Sequence, residues 1–177
     1  SKGLLEFKVN FKGVSCHSST PEKGINAIMK AVDFIKKLED FYNDLKNEKE
    51  SENLTMNIGI INGGKSINIV PSNCEVCLDF RTTNIIETTK IISKMDELML
   101  ELGANYEIIN NIKPFANEGE KIKTSDFISE ASFIDNAKKY ILGVGPINAH
   151  KADEFITKNS LDKLEEQYMN IIKEKCE

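Results

Sequence analysis

The stretch Ile61-Asn62-Gly63-Gly64-Lys65-Ser66-Ile67-Asn68-Ile69-Val70-Pro71-Ser72-Asn73-Cys74-Glu75-Val76-Cys77-Leu78-Asp79-Phe80-Arg81 decides the fold. Gly63-Gly64 marks a backbone that needs positive φ or close approach. Pro71 keeps the connecting segment out of regular pairing. From Cys74 the side chains alternate. Cys74, Val76, Leu78 and Phe80 face one way, and Glu75, Cys77, Asp79 and Arg81 the other. One apolar and one charged face define a strand of a half-covered antiparallel sheet.

The neighbouring segments supply its partners. Upstream, Leu54, Met56, Ile58 and Ile60 read as a strand, and so do Leu5, Phe7, Val9 and Phe11 up to Gly13. From Gly24 the period changes. Ile25, Ile28, Val32, Ile35, Leu38, Tyr42 and Leu45 recur at helical spacing, and a charged loop follows at 46–53. Downstream, Asn84 and Glu87 form a capping box ahead of a second amphipathic helix with Ile91, Ile92, Met95, Leu98, Met99 and Leu102. Gly103 is its C-terminal stop, and Tyr106, Ile108 and Ile112 form a fourth strand. Residues 4–113 therefore read as an α+β fold, a βαββαβ four-stranded antiparallel sheet with two helices on one face and an open polar face.

Pro114 changes the pattern. The sequence predicts a loop over 114–125, a short helix over 126–138, a very short strand at Tyr140-Ile141-Leu142 and a last helix capped by Ser160. Residues 114–177 lack the apolar surface for a core of their own. They read as an incomplete α/β segment, the C-terminal end of a larger domain whose first half is missing, and the N-terminus reads as a cut end.

With 40% hydrophobic and 29% charged residues the chain should bury a core and be soluble. Its net charge of −5 argues against nucleic acid, and the third strand offers its open face Glu75, Cys77 and Asp79 rather than aromatics for stacking. No apolar run approaches a membrane span. The four sparse cysteines fit a reducing, cytoplasmic setting better than a disulfide scaffold.

Both histidines, His17 and His150, fall in loops. His17, among Ser15, Ser18, Ser19 and Thr20, could donate a hydrogen bond to a developing oxyanion. A lone loop histidine is more often just a polar surface residue. His150 precedes Asp153 and Glu154, which suit either a metal site or a helix dipole. Cys74 and Cys77 lie three apart on a strand, face opposite ways and cannot chelate together. Arg81 beside Asp79 is either a surface ion pair or a fork for a substrate carboxylate, and Asn68 can satisfy its own turn. The Gly143-Val144-Gly145 loop could cradle an anion.

Three ordered blocks now resemble one family. They are His17-Ser18 with Pro21, Gly24, Asn26 and Ala27; Gly63-Gly64, Asn68, Val70-Pro71 and Asp79-Phe80-Arg81; and Ser129-Glu130-Ala131, the glycine loop and Ala149-His150-Lys151-Ala152-Asp153-Glu154-Phe155. The chain resembles the co-catalytic zinc hydrolases of the acetylornithine deacetylase, succinyl-diaminopimelate desuccinylase, aminoacylase and carboxypeptidase G family. The resemblance implies a lid or dimerisation domain at 4–113 and the end of a zinc-binding catalytic domain at 114–177. It implies that His150 is a zinc ligand, and that His17 crosses a homodimer to stabilise the oxyanion in the partner's site. It also implies that Asn68 and Arg81 hold a substrate carboxylate, and it places Gly145 against the substrate.

The expected substrate is an N-acyl amino acid or small peptide, hydrolysed with two zinc ions in the intact enzyme. Two features depart from the family pattern. Val144 replaces a proline in a shortened glycine loop, and the remaining zinc ligands and the general base would lie ahead of Ser1. One histidine cannot hold two zinc ions, so this chain alone is expected to be inactive. The alternative is a stand-alone βαββαβ module that dimerises or binds a small molecule without catalysis.

Overall fold

The structure, a computed structural model, describes residues 1–115, 128–134, 136–137, 139, 141–143 and 151–175. The chain divides into two compact units, Ser1–Asp135 and Asn136–Glu177. The first unit runs β1 (Leu4–Lys12), α1 (Ala27–Lys46), β2 (Thr55–Gly63), β3 (Asn73–Arg81), α2 (Ile85–Leu102) and β4 (Asn105–Ile112). The strands lie in the order β2-β3-β1-β4, and every pair is antiparallel. This is the α+β sheet that the alternation predicts, with β1 and β3 central and β2 and β4 at the edges. Phe7, Val9, Phe11, Cys74, Val76, Leu78 and Phe80 are buried in one core with residues of both helices.

Helix α1 packs on a stripe that overlaps the expected one: Leu38 and Leu45 are buried and Ile28, Ile35 and Tyr42 pack against the core, while Ile25 and Val32 do not. Asn26 caps it, its Oδ1 accepting from the amides of Ile28 at 2.9 Å and Met29 at 3.2 Å. The buried face is Ala27, Ala31, Phe34, Leu38 and Leu45, whereas Ile25 and Val32 are 48% and 37% exposed. Two alanines let the helix sit close to the sheet, and Phe34 fills the gap with its ring 5.4 Å from that of Phe11. Hydrophobic size alone favours Ile25 and Val32, which stay at the edge of that stripe.

Strand β2 also departs from simple alternation. Ile58 pairs with Leu78, but Ile60 pairs with Cys77, so Gly59 is the extra residue of a bulge. Ile60 is thereby turned to the open face and is 51% exposed, not part of the core stripe Leu54-Met56-Ile58. A second irregularity, with Phe7 opposite Ile108 and Glu6 opposite Asn110, passes over Ile109 in β4.

At the start of α2, Asn84 Oδ1 accepts from the Glu87 amide at 2.9 Å as expected. The returning carboxylate bonds one residue further out. Glu87 accepts from the Thr83 amide at 2.6 Å, the Thr83 hydroxyl at 2.8 Å and the Asn84 side chain at 3.1 Å. The threonine hydroxyl supplies a second donor there, which draws the carboxylate outward, and Glu87 is buried. Gly103 closes α2 at φ 58°, a left-handed position suited to glycine.

Cys74 lies in the core and Cys77 on the other face of β3, so they do not share a ligand. Burial pushes both thiols above their ordinary range. On the open face Lys8 pairs with Glu75 at 2.8 Å.

Beyond β4, the described residues of the expected 126–138 helix form only a 3-10 turn, Glu130–Phe133. Ser129 caps it, and Phe133 and Ile134 are 69% and 54% exposed, so no packed face extends it. In the second unit Ile141, Leu142 and Gly143 are not in a strand, and Tyr140 lies outside the described residues. Helix α3 spans Lys158–Lys175. Thr157, rather than Ser160, caps it, with its Oγ1 accepting from the Ser160 amide at 3.1 Å. The β-turn-like Thr157–Ser160 pairing moves the start of the helix upstream. No helix among the described residues is long and apolar enough to cross a membrane.

The stripe assignment makes a measurable contrast. Phe34→Ala should cost about 3–5 kcal/mol in chemical denaturation, as expected for an emptied aromatic site. Val32→Ala should cost under about 0.5 kcal/mol, as at a surface position. Equal losses would contradict the packing of α1.

Tyr106 gives a pH test. Its ring packs edge-on 5.3 Å from Phe7 and its hydroxyl donates to Asp96 at 2.7 Å. Burial first, then the Asp96 carboxylate, push its pKa up to about 12 from 10.0. The unfolded chain loses this proton first, so stability falls as pH rises through that window. Tyr106→Phe should remove that component of the alkaline loss, and phenolate absorbance of the native protein should titrate late.

Candidate functional site

Two loops meet beyond the Lys12 end of β1 and the Asn73 end of β3. Reciprocal Val14–Ile25 hydrogen bonds of 2.8 and 2.9 Å close the first loop on itself. The second loop lies along it. Ser72 accepts from the Gly13 amide at 2.8 Å, Cys16 from Val70 at 2.9 Å, and Asn68 from Ser18 at 2.9 Å. His17 and Ile69 form an isolated antiparallel bridge. The result is a short irregular ladder outside the sheet.

Glycines permit this approach. A Cβ on Gly13 would stand 2.0 Å from the Ile25 carbonyl oxygen. Gly64 turns the second loop at φ 79°. Between the loops lies a cavity of about 610 Å³ lined by Ser18, Asn26, Ile28, Lys65 and Ile69 among others.

His17 is exposed. Its Nδ1 accepts from the Ser19 amide at 3.2 Å and lies 2.7 Å from the Ser19 hydroxyl. Its carbonyl accepts from the Thr20 amide at 3.0 Å. Asn68 is exposed, and its Oδ1 accepts from the Ser66 hydroxyl at 2.5 Å. Asn68 thus supports its own turn, as its residue type suggests, and also ties that turn to the histidine loop through its carbonyl.

Arg81 sits at the opposite end of β3, eight residues from Asn73, or about 26 Å at 3.3 Å per residue. Its Nε and Nη2 both donate to Asp79 Oδ2, at 3.1 and 3.0 Å. The pair is partly exposed, so solvent screens it. Within one chain the structure brings His17 and Asn68 together and leaves Arg81 apart. Gly145 and His150 lie outside the described residues.

Among the described residues no group of three or more His, Cys, Asp or Glu is placed to hold a metal ion. The described part of this chain does not by itself fit the implied zinc pair. Residue type alone did not single out Lys65 as a cavity wall, Asn26 as the cap beside it, or Ser19 as the histidine's partner. The polar run Ser18-Ser19-Thr20 was the available signal, but its hydrogen-bond directions depend on the loop's fold.

Gly13→Ala probes this arrangement. It should force Val14 from Ile25, lower stability by about 1–3 kcal/mol, as overpacking does, and shift the amide resonances of Ser18 and Ile69. Unchanged resonances would show that the ladder does not depend on the glycine.

The profile of the peptidase dimerisation domain family matches residues 1–107. The acetylornithine deacetylase of Proteus mirabilis is 29% identical, covering 99% of this chain and 52% of that protein. The succinyl-diaminopimelate desuccinylase of Dechloromonas aromatica is 26% identical, covering 98% of this chain and 52% of that protein. The chain spans about half the length of these curated relatives. Among solved structures, a tripeptidase from Staphylococcus aureus superposes with a TM-score of 0.54 at 23% identity, over 68% of this chain and 32% of that one. An amidase of the hydantoinase/carbamoylase family from Burkholderia phymatum does so with a TM-score of 0.55 at 20% identity, over 64% and 29%. At such identities these two show a shared fold.

Proposed function

The chain belongs to the peptidase dimerisation domain family, and on that premise we propose that it serves a metal-dependent amide hydrolase as its lid and the C-terminal end of its catalytic domain. Residues 4–113 are assigned to the lid and 114–177 to the catalytic end. The proposed substrate is an N-acyl amino acid or small peptide, the proposed setting cytoplasmic, with no nucleic-acid or membrane partner. The names and lengths of the deacylase relatives support this reading.

The observation that carries it is the placement of His17. The loop ladder holds its backbone, Ser19 holds one ring nitrogen, and its Nε2 has no partner among the described residues. A histidine so held can donate to the oxygen that gains negative charge when an amide carbonyl is attacked. The zinc pair, when bound, would supply the activated water. His150 is the ligand that this chain would contribute, and Gly145 would contact the substrate. Asn68, beside His17, is assigned to the substrate carboxylate. Arg81 is assigned the same task, and its distance from His17 means that both can serve one site only from different subunits.

A homodimer supplies that arrangement. Strands β2 and β4 are sheet edges, and an unpaired edge is open to a partner. On β2, Ile60 and Ile61 are each 51% exposed, and Met29 of α1 is 59% exposed. Tyr42 of α1 bonds the Leu54 carbonyl just ahead of β2, so α1 lies over that edge.

Three outcomes test the proposal. The purified chain should be a dimer by light scattering, and a monomer at high concentration would count against the lid assignment. It should release no acetate from acetylornithine with zinc added, and measurable turnover would refute its dependence on a missing half. Joined to a complete catalytic domain, His17→Ala should lower kcat about 10²–10³-fold, the usual effect of losing an oxyanion donor, and full activity would remove His17 from the mechanism.

A further inference from the structure

We propose that Ser19 is the positioning residue that decides which nitrogen of His17 carries the proton, an inference that rests on the reading of His17 as an oxyanion donor. A backbone N–H can only donate, and that of Ser19 donates to Nδ1 at 3.2 Å. Nδ1 therefore presents its lone pair. The Ser19 hydroxyl, 2.7 Å from the same nitrogen, must then donate as well. Two donors from one residue converge on one ring atom, and the shorter contact makes the hydroxyl the stronger.

A neutral imidazole has one N–H, and this arrangement puts it on Nε2. His17 is thus a hydrogen-bond donor without needing a positive charge. The opposite tautomer would aim a lone pair at the oxyanion and repel it. The backbone is fixed separately, by the Thr20 amide on the His17 carbonyl at 3.0 Å and by the Ser18 amide on Asn68 at 2.9 Å. Ser19 therefore acts on the ring, and its neighbours act on the chain.

Nitrogen-15 NMR of the histidine-labelled whole chain tests this at about pH 9, well above the ordinary histidine range. His17→Gln identifies the His17 signals against those of His150. In the wild type, Nδ1 should resonate as an unprotonated nitrogen and Nε2 as a protonated one. Ser19→Ala, which loses the hydroxyl and keeps the backbone donor, should draw the two signals part of the way together, and Ser19→Thr should restore their separation. Ser19→Asp, whose carboxylate can only accept while the backbone amide still donates, should bring the two signals closer together than alanine does. A wild type whose signals are already averaged, or alanine and aspartate variants indistinguishable from it, would overturn the assignment. The readout involves no turnover, so an active His17→Ala enzyme would refute the oxyanion reading and leave the tautomer result standing.

Discussion

Phe7 lies opposite Leu78, Val9 opposite Val76 and Phe11 opposite Cys74. These cross-strand pairs place one continuous apolar face on the two central strands, and the helices pack on it. Burial of that face, rather than the ion pairs on the other, holds the unit together, because solvent screens exposed pairs such as Lys8–Glu75. A slip of one residue between β1 and β3 would turn the slipped strand's core side chains to the open face. The register of this pair is therefore the constraint from which the rest follows.

The site inherits that register. Pairing Lys12 with Asn73 brings the ends of β1 and β3 side by side, so the loops leaving them must run together. Gly13 and Gly64 let the backbones approach, and the ladder from Ser72 to Ser18 then sets His17 beside Asn68. The same register sends Arg81 to the far end of the sheet. The loop entering β3 and the end of β3 thus hold two candidate substrate contacts far apart, which is the geometric reason for invoking a second subunit.

How legible each element was follows its physics. The alternation of β3 is local and strong, so its two faces could be read directly, and Cys74 and Cys77 could be separated on the same ground. Most of the α1 stripe is legible, but hydrophobic size also favours Ile25 and Val32, while packing favours the closeness that Ala27 and Ala31 allow. The Gly59 bulge was hidden because β2 keeps alternating in sequence while its partner falls out of step. His17 and Asn68 stand as candidates only through resemblance, since neither a loop histidine nor a turn asparagine announces a role by type.

By itself the sequence determined the element order of residues 4–113, the apolar face of each central strand, the cap at Asn84 and the stop at Gly103, because those depend on neighbours along the chain. Tertiary structure alone decided that β1 and β3 are central, that Ile60 leaves the core, that Glu87 bonds Thr83 and that Ser19 holds His17. Each of these is a choice among partners that local preference leaves equal. Only the mutual exclusion of packed atoms and the need to pair buried polar groups separate them.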